Sequence, residues 1–269
     1  MRSFAAAALL FLASCADSGT GGERVEVDFA MRGVSIDDGP IATTTSLVDP
    51  SWTIELDEAA LLVGGVYAYP PLPVVTRLER TLDVLLGPSV ARAHGGDDNQ
   101  AGRRALFESL DAFVVDGLDP SEFRVGAFVA EAGVVATASV VLMPAYGENA
   151  GTSAPTRGGV AFVRGTAEQG ERVVAFEATL SAGSTVLRRR VDAISAVGTL
   201  RPSSHIVLSV APLEWLREVD FAEFERAVEP SADGVRRPAE GSQFMTAWYL
   251  AVHSARAYSL RVVDERSVP

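Results

Sequence analysis

The sequence predicts a mainly β protein: an antiparallel β-sandwich or barrel-like sandwich with two or three short helices. Three observations point there. From residue 23 apolar and polar side chains alternate: Val25, Val27, Phe29 and Met31 share one face while Glu26 and Asp28 take the other, the period-two pattern of a half-buried strand. Turn-forming clusters such as Glu131-Ala132-Gly133, Ala167-Glu168-Gln169-Gly170 and Ser181-Ala182-Gly183-Ser184 separate the apolar segments and imply a meander. Helical stripes are few and do not alternate with strands, which argues against crossover units and a parallel sheet.

Along the chain, Trp52, Ile54 and Leu56 repeat the alternation, and residues 61–69 form a continuous apolar run suited to a strand buried on both faces. Further strands are expected at 112–115, 123–131, 134–143, 159–165, 172–180, 185–192, 205–210 and 258–263. Residues 76–86 place Leu78, Leu82 and Leu85 on one helical side before Gly87-Pro88 stops them. Ser242 is positioned to cap a helix at 243–256, where Phe244, Ala247, Trp248 and Ala251 form a stripe, and 213–226 is a third amphipathic segment. The uncharged runs 59–75 and 132–147 approach the ~20 residues of a membrane span. Gly64, Gly65 and Pro70 break the first, and Pro144 ends the β-branched second, so both read as buried strands. Residues 23–269 are taken as one β-rich domain, with a division near 147–159 as the alternative.

The first residues have another purpose. Met1-Arg2-Ser3 is a short basic start, residues 4–12 are apolar, and Leu12-Ala13-Ser14-Cys15 ends on the chain's one cysteine. This is the layout of a secretory signal. The tetrapeptide resembles the bacterial lipobox, which implies removal of a signal peptide at 1–14 and acylation of Cys15. Residues 15–22 are small, polar and glycine-rich, the composition of a flexible tether. Two or more acyl chains hold a protein stably on a bilayer, so the resemblance implies a membrane partner reached through the N-terminal lipid. Position 16 is alanine, where an aspartate would resemble an inner-membrane retention signal, and this favours the outer membrane within the cell envelope.

Composition narrows the chemistry. The formal charge is −12, and losing Arg2 with the leader makes it −13, a surface that repels nucleic acid. All 23 basic residues are arginine. Without lysine there is no Schiff-base or P-loop lysine, and a lipidated Cys15 is no nucleophile. The mature chain then holds no disulfide and depends on burial, for which 255 of the 269 residues remain.

Among local motifs, His94-Gly95-Gly96-Asp97-Asp98-Asn99 concentrates one imidazole and two carboxylates in a glycine-permitted turn. Counted from Asp97, the run resembles an EF-hand loop, with Asn99 at position three, Gly102 at six and Glu108 at twelve; it departs at Ala101, which offers no ligand, and at Arg104, where an apolar residue belongs. No cofactor is expected in the remainder of the chain. At this loop, an irregular site of His94, Asp97 and Asp98 would suit zinc or copper, and the carboxylates alone calcium. His205 falls on an outward strand face and His253 near the end of the last helix.

G-x-S-x-G is absent, and adjacent acids such as Asp37-Asp38 do not make a glycosidase pair, so an envelope hydrolase is a minor alternative. Trp52, Trp215 and Trp248 lie in apolar patterns and read as core, and Arg188, Arg189 and Arg190 as a solvated sheet face. The combination of Trp52-x-Ile54-x-Leu56, Ala93-His94-Gly95 and Glu214-Trp215 before Val219-Asp220-Phe221 resembles uncharacterised envelope lipoproteins of GC-rich proteobacteria.

The resulting expectation is a non-catalytic envelope lipoprotein whose β-sandwich body binds a partner protein, glycan or ion, with a periplasmic metal-binding protein as the alternative. If the His94 loop binds a transition metal, calorimetric titration of zinc or copper will show tighter binding to the wild type than to His94→Ala. Identical isotherms remove the site, and a solvated loop should change stability by less than ~0.5 kcal/mol on that substitution.

Overall fold

The computed structural model describes residues 22–35, 41–48, 50–71, 104–143, 155–181 and 189–264. Within them the chain forms twelve strands in one curled, mixed sheet: β1 (Arg24–Gly33), β2 (Thr43–Thr45), β3 (Thr53–Tyr69), β4 (Phe107–Ser109), β5 (Phe113–Asp116), β6 (Phe123–Glu131), β7 (Gly133–Leu142), β8 (Ala161–Gln169), β9 (Arg172–Leu180), β10 (Arg190–Leu200), β11 (Ser204–Val210) and β12 (Tyr258–Asp264). Two α-helices, α1 (Phe221–Ala227) and α2 (Gln243–Val252), complete a mainly β fold that suits a sandwich or half-barrel.

β3 organises the sheet. Its seventeen residues pair with β8 and then β7 along one edge, and with β2, β5 and β4 along the other. The sequence divides this strand into two because its alternation changes phase. Trp52, Ile54 and Leu56 point into the core; after a bulge between Leu56 and Glu58 the inward residues are Ala59, Leu61 and Val63; after a second between Val63 and Gly65 they are Val66 and Ala68. Each bulge inserts one residue against the partner strand and reverses which parity faces inward.

From β3 one path of paired strands runs β7-β10-β12-β11-β1-β6 and a second runs β8-β9. β8 and β9 form the expected hairpin, but the strand runs on through Gln169 and the turn is Gly170-Glu171, with Gly170 at φ +61°. Glycine opens such a two-residue turn because it takes a positive φ without steric cost. The segment at 131–133 is not a hairpin: β6 pairs with β1 and β7 with β10 and β3, so the chain turns a corner at Ala132. The sheet is also not wholly antiparallel. β12 inserts between β10 and β11, parallel to the first and antiparallel to the second, and β11 lies parallel to β1. β7 and β8, which flank the candidate linker, both pair with β3.

The sheet curls until β6 nears the chain entering β4. Glu131 N–H donates to the Leu106 carbonyl at 2.7 Å, Leu106 N–H to Ala68 at 2.8 Å, and Ala132 N–H to Glu23 at 2.7 Å. Phe29, Phe107 and Phe128 fill the space enclosed, with ring centroids 5.3 to 6.0 Å apart. A second aromatic group joins the helices to β3 and β9: Phe221 stands 6.2 Å from Trp52, 5.3 Å from Phe176 and 5.9 Å from Phe244. The expected segment 213–226 becomes a 3-10 turn at Pro212–Trp215 followed by α1, whose first turn is capped by Asp220 accepting from Glu223 N–H at 2.9 Å. Ser242 caps α2 through Met245 N–H, as its sequence position implies. The expected helix at 76–86 lies outside the described residues, whose helices include none long and apolar enough to cross a membrane.

The first bulge of β3 depends on a glycine. A Cβ on Gly165 would stand 2.1 Å from the Glu55 carbonyl oxygen, backbone that has no room to retreat. Urea unfolding of Gly165→Ala is therefore expected to show a loss of at least ~2 kcal/mol, against about 1 kcal/mol for Gly234→Ala, where nothing lies within 4 Å and the cost is that of the positive φ alone. Equal losses would show that the close approach at β3 is not limiting.

Candidate functional site

The sequence-based metal candidates His94, Asp97 and Asp98, and the candidate lipidation residue Cys15, all lie outside the described residues. What the structure locates is where the chain leaves and returns. It departs β3 at Pro70-Pro71 and re-enters at Arg104, whose guanidinium is 3.4 Å from the Glu131 carboxylate. Among the described residues no three or more histidine, cysteine, aspartate or glutamate side chains are grouped to hold a metal ion.

The described residues bring together another group. On β3, with Val66 and Ala68 facing the core, Tyr67 and Tyr69 fall on the opposite face, as does Ser139 on β7 between Ala138 and Val140; Tyr67 is half-buried, and Tyr69 and Ser139 are buried on that face too. β10 adds Arg190 at its first position, and these side chains converge. The Arg190 guanidinium donates to the Tyr69 hydroxyl at 2.6 Å, the Ser139 hydroxyl at 3.0 Å and the Asp192 carboxylate at 2.7 Å. It lies 5.4 Å from the Tyr67 ring centroid, and the two tyrosine rings stack at 6.5 Å with an interplanar angle of 16°. The Arg190 side chain is only 5% exposed, against 40% for Asp192, so Arg190 is not part of a solvated sheet face. Burial disfavours its charge, but Tyr69 and Asp192 outweigh that and the guanidinium titrates above its usual value.

Such a group has defined chemical capacities. A buried guanidinium fixes a tyrosine hydroxyl and a carboxylate in orientation, and the carboxylate keeps access to solvent. Tyr69 is only 4% exposed, so the flat apolar surface of the stacked pair is that of half-buried Tyr67. The sequence signal for it was the pair of tyrosines at 67 and 69, whose spacing puts them on one strand face; their meeting with Arg190 depends on pairing across β7 and was not readable.

The remaining histidines have local roles. His205 is half-buried on the outward face of β11, with its Nε2 2.7 Å from Glu122 Oε2, and is therefore less exposed than its alternation implied. Ser209, on the same face, accepts from Arg32 Nε at 3.4 Å, so these two residues do not form a nucleophile–base pair. His253 closes α2, its Nδ1 2.8 Å from the Tyr249 carbonyl and its ring tilted by 31° against that of Tyr249, with centroids 4.2 Å apart. Trp52, Trp215 and Trp248 are all buried in the core, as their apolar surroundings implied.

Removing the guanidinium should leave the Tyr69 and Ser139 hydroxyls without their shared donor. Arg190→Met, which keeps most of the stem volume, is expected to cost about 2–3 kcal/mol in urea unfolding, while Arg261→Met on the exposed face of β12 should cost under ~0.5 kcal/mol. Equal effects would mean that the network adds nothing to stability. Comparison with known proteins finds no matching family model, no matching curated protein and no matching solved structure.

Proposed function

We propose that the protein is a non-catalytic, lipid-anchored component of a bacterial cell envelope, acylated at Cys15, whose β body binds a glycan through the outward face of β3, β7 and β10. Leu12-Ala13-Ser14-Cys15 supports the anchor, and Ala16 supports the outer membrane over the inner. The observation that carries the binding role is the half-buried Tyr67 ring, held by stacking on buried Tyr69, beside the buried Arg190 and half-exposed Asp192. Sugar rings present C–H faces that pack on aromatic rings and hydroxyls that bond to a carboxylate. The formal charge of −12 opposes polyanionic ligands and favours a neutral glycan.

Two measurements test this reading. Labelled fatty acid should be incorporated into the wild type and lost in Cys15→Ser, with the variant released from membranes; an unlabelled wild type overturns the anchor. Calorimetric titration with neutral oligosaccharides should show binding that Tyr67→Ala weakens at least ~10-fold, equivalent to ~1.4 kcal/mol. Binding that is absent, or unchanged in Tyr67→Ala, overturns the glycan site.

A further inference from the structure

We infer that the end of the barrel carrying Glu23, Glu131–Gly133, Arg201 and Asp264 is the surface that faces the lipid bilayer, and that the helical end faces away from it. The inference rests on the proposed acylation of Cys15 and adds an orientation to it. Strand register places these residues together: Arg24 pairs with Glu131, Gly133 with Leu200, Val27 with Ser204, and Ser204 with Asp264. At the opposite end Gly33 pairs with Val210 and Val210 with Tyr258. There the chain enters the 3-10 turn and the two helices that pack on Trp52 and Phe176.

Tether length decides between the two ends. Nine residues, Cys15 to Glu23, span at most ~30 Å when fully extended and about 17 Å as a flexible chain. β1 has ten residues and is ~33 Å long. Tilted by ~40° as in a barrel it still rises ~25 Å, and a helix layer adds ~10 Å. Turning the helical end toward the membrane therefore requires about 35 Å of tether, more than its full extension.

Surface character does not separate the two ends and leaves tether length to decide: exposed Val129 and Val134 flank the corner at Ala132, while exposed Leu47, bonded to Arg217, and Leu250 on α2 lie on the helical side.

With Cys15 acylated, the mature protein has no free thiol, so one introduced cysteine takes a fluorescent label cleanly. Val134→Cys and Glu240→Cys, both at exposed positions, are labelled on protein bound to vesicles of zwitterionic and anionic phospholipid carrying a headgroup quencher. Strong quenching at position 134 and only background at 240 is expected. Equal quenching, or more at 240, overturns the orientation. A second arm replaces residues 1–15 with a hexahistidine tag on nickel-chelating lipid, which keeps the tether without acylation. The same contrast in this arm, together with no fatty-acid incorporation by the wild type, would sink the acylation reading while leaving the geometric one intact. Inserting thirty glycine and serine residues after Gly22 should abolish the contrast; its persistence would refute tether length as the cause.

Discussion

Every sheet contact in this protein refers back to one constraint: a seventeen-residue strand must keep an apolar face inward over its whole length while the sheet around it curls. A regular strand of that length would twist its inward face away from a compact core. Two bulges correct this, each shifting the register by one residue and resetting which side chains point in. β3 thereby serves two aromatic groups, Trp52 with the helices at one end and the Phe29–Phe107–Phe128 group at the other. Gly165 opposite the first bulge is where backbone meets backbone, and no side chain fits.

Much of this was legible from sequence, and the misses share a cause. Period-two alternation locates β1 and β9 closely because each keeps one phase from end to end, and it locates β6 although an extra residue opposite Phe29–Ala30 changes its phase. β3 was divided where its phase reversed, since local alternation carries no trace of a partner that tolerates an extra residue. β4 and β2, three residues each, are too short to show a period and exist because β3 offers them an edge. Pairing order was wholly unreadable: nothing near Glu131-Ala132-Gly133 says that the next strand crosses to β10 instead of folding back.

The Arg190 group follows the same division. Its members come from three strands separated by up to 125 positions, and each alone has an ordinary explanation: tyrosines on a strand, a serine among valines, an arginine in a run of three. Only the register of β3, β7 and β10 puts the guanidinium beside two hydroxyls. A charge this enclosed needs its partners already in place, so the network is a check on correct strand pairing as well as a source of stability.

The position of β12 bears on how the protein is made. β10 and β11 are joined by a tight turn at Arg201–Ser203, yet they are kept apart by a strand whose residues follow β11 by almost fifty positions. Until that strand arrives, β10 and β11 each expose an unpaired edge, or pair with each other in a register the finished sheet does not contain. Contacts between residues so far apart close slowly. A chain synthesised amino end first would hold its sheet open through most of synthesis, and seal it only when residues 258–264 slide between their neighbours. Loss of those few residues would therefore do more than shorten the protein: it would leave a permanent gap in the middle of the wall, a lasting site for a chaperone or for another copy of the same chain.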